Sequence, residues 1–377
     1  MEKLRKRRIL VSGYGQGVLA FCDAFRSEYA ELTVCSPELR YAPPPVLPLI
    51  ASDAVSPEYC VRSLRIRFGR RKDINWIQKS IVKIDAYERK AWTSESDEPL
   101  EYDYLIVGED VEAAKSLRLK TYREAANFAK EVKLQTGDVI ALAGSEPDDA
   151  ETAIGLLSKP AQPTIYWVKQ DKDLHMSGLT EGYHLRRAGL RILRENEIQK
   201  IASNHLLMKE HQIDCRVVDH RMAKLPNCLD SLDLETDESD YVCCRSDMSL
   251  PDHPRIFLLP EIASSKDGLG KIPPKTSRSF RLQAKHLAKT IKGKLEGKPG
   301  YDVDSPPFVY RDMGSLIRIS TFLVVGPWRN STRKGLIAWL LDTIFHKLPE
   351  FTLLFGFSEG IANFIRWTRT QRPTKLV

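Results

Sequence analysis

Two places in the chain have the residue types and spacing that could bind phosphate. At the first, the apolar residues 9–11 lead into a tight turn, and residues 18–25 favour a helix. The turn contains three alternate glycines, Gly13, Gly15 and Gly17. Glycine lets a ligand approach the backbone N–H groups at the amino end of a helix. This pattern is therefore typical of a turn that holds the diphosphate of a dinucleotide.

The second place repeats the arrangement about a hundred and thirty residues later. Residues 139–143 form an apolar run, the turn begins at Gly144, and residues 150–157 favour a helix. Two such units predict a flavoprotein scaffold with two dinucleotide-binding domains. The second turn is acidic, however, because Glu146, Asp148 and Asp149 all fall in it. Carboxylates suit the helix dipole there but repel a diphosphate, so we expect this turn to have lost dinucleotide binding.

The composition is that of a globular chain with a modest basic excess. Its 377 residues suffice for two or three domains, and the formal net charge is +7. Basic residues are concentrated near both ends, which favours an anionic partner. They are Lys3, Arg5, Lys6, Arg7 and Arg8 near the start, and Arg366, Arg369, Arg372 and Lys375 near the end. Because no aromatic-plus-basic repeat or zinc spacing accompanies them, we predict a membrane surface as the partner, and no nucleic acid.

The cysteines and histidines predict neither a metal site nor a redox dithiol. The seven cysteines are scattered, and the adjacent pair Cys243-Cys244 does not have CxxC spacing.

The sequence also has no apolar run of about eighteen residues that could span a bilayer. It begins without the apolar segment of a secretory signal. We therefore expect a peripheral protein on the cytoplasmic face of a membrane.

The order of the elements predicts four segments. These are residues 1–115 (first part of an FAD-type domain), 116–250 (an inserted NAD-type domain), 251–330 (second part of the FAD-type domain) and 331–377 (C-terminal helices). Within them we expect the first helix to reach Ala30, residues 41–45 to form a loop, residues 74–93 to form antiparallel strands and residues 276–295 to form a basic helix.

The last forty residues combine aromatic and aliphatic side chains at helical spacing with scattered charges. Each apolar stretch is too short to span a membrane, so we expect helices lying in the membrane interface. A buried core helix or a dimer face between two copies of the chain is the alternative. The aromatic residues predicted to meet lipid are Trp339, Phe345, Phe355, Phe357, Phe364 and Trp367.

Taken together, these segments resemble the type II (non-proton-pumping) NADH:quinone oxidoreductases almost from end to end. The resemblance rests on RYAPPPVLPLIASDAVSP, YDYLIVGED, HPRIFLLPEIA, PPKTSRSFRLQA, PFVYRDMGSL and GLIAWLLDTIFHKL. It implies an α/β fold with two Rossmann-like dinucleotide-binding domains, the second inserted in the first, plus C-terminal amphipathic membrane-attachment helices. It also implies FAD and NADH or NADPH as cofactors and a quinone as electron acceptor.

The FAD side departs from the family pattern at several positions. The family's G-x-G-x-x-G falls on Ser12, Tyr14 and Gly17, or one residue later on Gly13, Gly15 and Val18. In either frame a side chain stands where the diphosphate would approach. The acid expected to bind the ribose falls on Ser36. Further FAD-side positions are Pro45 in the proline-leucine segment, Gly108, Glu109 and Asp110 in place of A-T-G, and Pro260-Glu261 in place of G-D.

The NADH and quinone sides depart further. Gly144 and Glu151 match a family glycine and the family's helix glutamate, but Glu146 and Asp149 replace the other two glycines. Lys169 stands where a ribose-binding glutamate is expected. On the quinone-facing helix only Gln283 keeps the family's residue type. Thr276 and Gly314 also fit the family pattern, but both are common residue types.

Two functional hypotheses follow. The resemblance implies a peripheral-membrane flavoprotein that transfers electrons from NADH or NADPH to a quinone, with activity reduced or lost. In that fold the cofactors carry the chemistry, so no catalytic acid or base is assigned. The alternative is a non-catalytic scaffold or regulatory paralogue that has lost FAD and NADH binding. Departures at both turns and both ribose positions motivate the alternative.

Overall fold

The fold is taken from a computed structural model of the chain. It describes residues 5–51, 53, 55–109, 119, 121–132, 135–144, 147–157, 163–169, 179–220, 225–301, 305–314, 316–319, 323–328 and 331–370. The chain divides into two compact units. The first unit comprises Met1–Arg40, Ser63–Ala114 and Met222–Arg311, and the second comprises Tyr41–Arg62, Lys115–Arg221 and Asp312–Val377.

A five-stranded parallel sheet forms the centre of the first unit. In spatial order its strands are Ile256–Leu258, Tyr104–Val107, Arg7–Ser12, Ala30–Cys35 and Ile74–Ile77. The chain order reverses beside Arg7–Ser12, where open α/β sheets bind ligands at the carboxyl ends of their strands. The apolar residues of this strand are buried, and Leu10 packs in one cluster with Ile81 and Ile84. The first turn therefore lies where a dinucleotide fold positions its cofactor.

Two helices of the first unit pack against each other beside this sheet. The helix after the first turn is Gln16–Ala24, and its partner is the long helix Ser277–Leu295. Thr276 caps the long helix, since its hydroxyl accepts a hydrogen bond from the Ser279 N–H. The first helix ends at Ala24 and not at Ala30, because Ala30 begins the next strand. That part of the prediction was wrong.

The second unit contains a four-stranded parallel sheet. Its spatial order is Arg191–Arg194, Thr164–Lys169, Val139–Ala143 and Arg216–Asp219. The helix Pro147–Leu157 follows Val139–Ala143 after the second turn. The two parallel sheets, each with its strand–turn–helix unit, confirm the predicted α/β class with two Rossmann-like domains.

Two local predictions were wrong. Residues 41–45 are not entirely loop, because Pro44–Val46 forms a 3-10 turn that continues into the helix Leu47–Ala51. Proline is tolerated at the first position of a helix, where its missing N–H leaves no bond unmade. Residues 74–93 are not all antiparallel, since Ile74–Ile77 joins the parallel sheet and only Ile81–Asp85 and Lys90–Thr93 pair as a hairpin.

The remaining elements are short or lie at the carboxyl end. The other strands are Arg40–Tyr41, Arg62–Ser63, Leu100–Glu101, Ile198–Ile201, His205–Met208, Gln212–Asp214, Val242–Cys243, Ala263–Ser264, Ile317–Arg318, Val324–Trp328 and Ser331–Lys334. The other helical segments are Pro57–Tyr59, Leu64–Arg67, Tyr122–Val132, Leu179–Arg187, Glu195–Glu197, Asn227–Leu229, Gly335–Asp342, Thr343–Lys347, Leu348–Phe355 and Phe357–Thr370.

The predicted C-terminal helices are present, and the last two pack closely. Gly360 makes this contact possible, because a Cβ built there would lie 2.7 Å from the Cα of Thr352. Phe351, Phe364 and Trp367 pack together from these two helices and are part of the core of the second unit. None of the described helices is long and apolar enough to cross a bilayer.

Candidate functional site

The first turn keeps the backbone shape of a dinucleotide turn. Gly13 and Gly15 have φ angles of +111° and +118°, which favour glycine. Three main-chain hydrogen bonds fix the turn in the sheet: Gly13 N–H donates to the Cys35 carbonyl, Tyr14 N–H to the Glu109 carbonyl and Gly108 N–H to the Ser12 carbonyl. Gly15 begins the helix without a side-chain cap, so the first N–H groups of the helix need another acceptor.

That acceptor is the carboxylate of Glu261. Its Oε1 atom accepts a hydrogen bond from the Gly17 N–H. A Cβ built on Gly17 would lie 2.9 Å from the Glu261 carboxyl carbon, so a side chain at position 17 would displace this carboxyl. Glu261 is 8% exposed. Within the first unit, a protein carboxylate therefore occupies the place that a diphosphate takes at the amino end of this helix.

Burial changes the acidity of this carboxylate. Desolvation raises the pKa of Glu261 to about 7, against the Gly17 hydrogen bond, which lowers the pKa. Nearby Glu109 contributes to the rise. The Oε2 atom of Glu261 is buried and has no hydrogen-bond partner among the residues described. Near neutral pH the side chain thus exists in both protonation states, and both fill the same space.

The ribose end of the first turn also makes internal contacts. The Ser36 hydroxyl donates to the Glu38 carbonyl, and Ser36 is buried. The Glu38 carboxylate, also buried, accepts a hydrogen bond from the Arg40 N–H. The Tyr14 hydroxyl donates to the Arg40 carbonyl. Glu38 is an acid two residues after the predicted ribose position, and its place just beyond the strand was the signal that sequence reasoning missed.

The second turn carries a different internal acid. A Cβ built on Gly144 would lie 2.6 Å from the Asp149 carboxyl carbon, so Asp149 folds back over this glycine. The Gly144 carbonyl accepts a hydrogen bond from Trp167 Nε1, which fixes the turn against the sheet. Ser145, Glu146 and, on the flavin side, Asp110 lie outside the described residues. The predicted acidic turn thus brings one of its carboxylates directly onto its remaining glycine.

Asp149 is joined to His220 in a buried pair. Asp149 Oδ1 and His220 Nδ1 are 2.7 Å apart, and each residue is about 5% exposed. His220 Nε2 accepts a hydrogen bond from the Leu119 N–H at 3.2 Å. Because Nε2 is an acceptor, the proton resides on Nδ1 and points to Asp149. The pair connects three chain segments. No sequence spacing links these residues, so sequence reasoning missed His220.

Glu151, predicted on the cofactor side, binds C-terminal residues of its own unit. Its carboxylate accepts a hydrogen bond from the Arg318 N–H at 2.9 Å and forms an ion pair with Lys347. The Arg318 guanidinium in turn donates to the buried Asp342 carboxylate at 2.6 and 3.0 Å. Burial raises the pKa of Glu151, and the Lys347 ammonium opposes that rise. Buried ion pairs are costly to break on one side, so this network fixes these segments together.

The other predicted positions are spread over the two units. In the first unit, Thr276 caps its helix, and the buried Gln283 donates to the Ser279 hydroxyl. In the second unit, the Gly314 N–H donates to Asp312, and the Pro45 carbonyl accepts from Trp367 Nε1. Lys169 lies 5.8 Å from the centre of the Trp167 ring. Each of these groups thus has a contact within its own unit.

The predicted membrane residues divide into two groups. Phe364 and Trp367 are buried, and Phe355 and Trp339 are half-buried. Phe357 and Phe345 are exposed, at 77% and 37%. Four aliphatic residues near the start of the C-terminal helices extend this exposed set: Leu336, Ile337, Leu340 and Ile344. The exposed apolar surface is therefore mainly aliphatic.

FAD and NADH are the groups that the family resemblance implies, and the described turns do not fit them. At the first turn, the Glu261 carboxyl fills the space beside Gly17 where a diphosphate would bind. At the second turn, Asp149 covers Gly144 and is bonded to His220. Among the residues described, no group of three or more His, Cys, Asp or Glu side chains is placed to hold a metal ion.

Comparison with known proteins supports the resemblance seen in the sequence. No family model matches the chain. Over 142 residues it is 30% identical to the type II NADH:quinone oxidoreductase of Mycobacterium tuberculosis. That match covers 38% of this chain and 28% of the relative, so the chain spans little more than a quarter of the curated relative in the match.

Solved structures match over nearly the whole chain. NDH2 from Plasmodium falciparum, in complex with NADH, has 14% sequence identity and a TM-score of 0.73, and the match covers 98% of this chain and 100% of that one. The sulfide:quinone oxidoreductase from Aquifex aeolicus has 17% identity and a TM-score of 0.66, with 93% and 92% covered. At these identities the solved structures show the fold, and this chain shares the two-domain α/β fold of both oxidoreductases.

The buried His220 pair should be a major contributor to the stability of the second unit. His220→Ala removes the hydrogen bonds to Asp149 and to the Leu119 N–H, and we expect a loss of about 2–4 kcal/mol in the free energy of unfolding. Denaturant unfolding followed by circular dichroism measures this loss. His211→Ala, at an exposed histidine of the same unit, is the control. Equal stabilities of the two variants would contradict the assignment.

The raised pKa of Glu261 predicts a specific pH dependence of stability. A carboxyl with a raised folded-state pKa stabilises the fold below its ordinary pKa of 4.5, and that stabilisation is lost as pH rises through about 7. Relative to Glu261→Gln, the wild-type protein should therefore lose about 3 kcal/mol of stability between pH 4.5 and pH 8.

Urea titrations of both proteins at several pH values would measure that difference. Glu98→Gln, at an exposed carboxylate of the same unit, is the control substitution. Parallel pH profiles for wild type and Glu261→Gln would show that Glu261 does not titrate in this range.

Proposed function

We propose that this chain descends from the type II NADH:quinone oxidoreductases and has lost cofactor binding. In this proposal it serves at a membrane as a non-catalytic scaffold or regulatory paralogue. One observation carries the proposal: each of the two dinucleotide turns is covered by a carboxylate of the chain itself. Glu261 covers Gly17 in the first turn, and Asp149 covers Gly144 in the second. NADH:quinone chemistry in this fold depends on bound cofactors, because the protein supplies only their binding and orientation.

The magnitudes favour the loss of binding. At the first turn the Glu261 side chain fills the space itself. At the second turn charge acts against a diphosphate, because two unit charges 4 Å apart repel by about 4 kcal/mol at an effective dielectric constant of 20. At the second turn Asp148 adds a half-buried acid to the first turn of the helix, next to Asp149. Removing Asp149 would not simply open this turn, because the carboxylate is bonded to His220, which also accepts from Leu119.

A flavin-dependent NAD(P)H:quinone oxidoreductase of low cofactor affinity is the second candidate. The backbone of the first turn favours it, since Gly13 and Gly15 keep the positive φ angles of a phosphate-binding turn. In this candidate the Glu261 side chain would move away from Gly17 when FAD binds. The electron acceptor would be a quinone, as in the relatives.

Membrane association is the second part of the proposal. The helix Gly335–Asp342 exposes Leu336 and Ile337, at 69% and 61%, beside the exposed Arg333 and Lys334. An apolar face with adjacent basic residues suits a helix that lies in the headgroup region of an anionic membrane. The helix is attached to its unit through Ala338, which is buried in one cluster with Leu316, Val324 and Trp328.

The visible absorption spectrum tests the loss of cofactor binding. The protein, purified in mild detergent, incubated with FAD and desalted, should be colourless because Glu261 fills the diphosphate position. A retained flavin spectrum that bleaches on addition of NADH or NADPH would establish the oxidoreductase candidate and refute the proposal. A retained flavin that does not bleach would refute the loss of FAD binding alone. Circular dichroism checks that a colourless sample is folded.

Vesicle flotation tests the membrane surface. Wild-type protein should float with vesicles that contain phosphatidylglycerol. Leu336→Asn with Ile337→Asn should bind at least tenfold more weakly, since each buried aliphatic side chain contributes about 1.5–3 kcal/mol. Ile66→Asn, at a residue of the first unit that is 68% exposed, is the matched control. If the double variant floats as well as the control, this helix is not the attachment site.

A further inference from the structure

We infer that the Glu261 side chain is a plug that fills the first turn, whose backbone keeps the shape of an FAD-type turn, and that its length excludes the FAD diphosphate. This inference rests on the proposed function and assigns the exclusion at the first turn to one side chain. The second turn differs, because there Asp149 is part of a network that joins three chain segments.

The first turn does not depend on Glu261 for its shape. Its hydrogen bonds to Cys35, Glu109 and Gly108 are main-chain bonds of the sheet and its neighbouring strand. A further main-chain bond from the Leu19 N–H to the Gly15 carbonyl starts the helix. Shortening the Glu261 side chain changes none of these bonds. The backbone of the first turn should therefore keep its shape when the Glu261 side chain is shortened.

Main-chain hydrogen bonds on both sides of Glu261 hold its backbone in place, and this position directs the side chain to Gly17. The Leu259 N–H donates to the Val107 carbonyl, and the Ile262 and Ala263 N–H groups donate to the Leu259 carbonyl. The Lys275 ammonium donates to the Pro260 and Ala263 carbonyls, on either side of Glu261. Lys275 also lies 4.0 Å from the centre of the Tyr241 ring.

The side chain itself is held less strongly than its backbone. Glu261 Oε1 accepts the Gly17 hydrogen bond, while the buried Oε2 has no hydrogen-bond partner among the described residues. Aspartate at this position would be shorter by one methylene, about 1.5 Å, which is enough to withdraw the carboxyl from the Gly17 N–H. Glutamine would keep the length and remove only the charge. Length and charge can therefore be tested separately.

The experiment measures FAD binding to the full chain by quenching of flavin fluorescence and by the flavin spectrum after desalting. The variants are Glu261→Asp, Glu261→Ala and Glu261→Gln, with Glu98→Gln as the control and circular dichroism as the check on folding. We expect the Asp and Ala variants to bind FAD at least tenfold more tightly than wild type. The Gln variant should remain like wild type, because it fills the same space.

Each other outcome contradicts a defined statement. If wild type does not bind FAD and the Asp and Ala variants do not bind it either, Glu261 is not the plug. The proposed loss of cofactor binding would then stand. If the Gln variant gains FAD as strongly as the Ala variant, charge and not length excludes the cofactor, and the inference is overturned. If wild type itself retains FAD, the proposed function fails together with the inference. The Ala variant decides the result if the Asp variant does not fold.

Discussion

The amino end of a helix needs an acceptor for its unpaired N–H groups, and in this protein that need is met from within the chain. In a dinucleotide fold the acceptor is the cofactor's diphosphate, and glycine at the turn lets it approach. Here the Glu261 carboxyl accepts the hydrogen bond from the Gly17 N–H and lies directly over this glycine, where a ligand would otherwise approach. Main-chain hydrogen bonds of the sheet set the shape of the first turn, and the Glu261 side chain decides what fills it.

The second turn also holds a carboxylate of the chain, but with different partners. Asp149 lies on the helix that it covers, and the buried His220 holds it in place. The next residue but one, Glu151, binds Arg318 and Lys347 of the C-terminal segment. Acids of one helix thus stabilise the turn and the C-terminal helices. These ion pairs and hydrogen bonds order the turn and the C-terminal segment from within the chain.

Most of the fold was predictable because apolar runs, turns and helix signals are local in sequence. Both strand–turn–helix units and the helix after Thr276 were correctly predicted. The errors came from context. Ile74–Ile77 joins the parallel sheet because the edge beside Ala30–Cys35 is available to it, and sequence alternation does not indicate its partner. The helix after the first turn stops early because the chain must return to start the next strand at Ala30.

The sequence by itself determined the class of fold, the two phosphate-type turns and the accumulation of acids at the second. It could not show which acid covers which glycine, because Glu261 is 244 residues from Gly17 and Asp149 is 71 residues from His220. Burial also reversed part of the C-terminal prediction. Helical periodicity identifies an apolar face, but only packing decides that Trp367 lies in the core while Leu336 remains exposed. Long-range contacts and burial are properties of the folded chain, and the tertiary structure alone decides them.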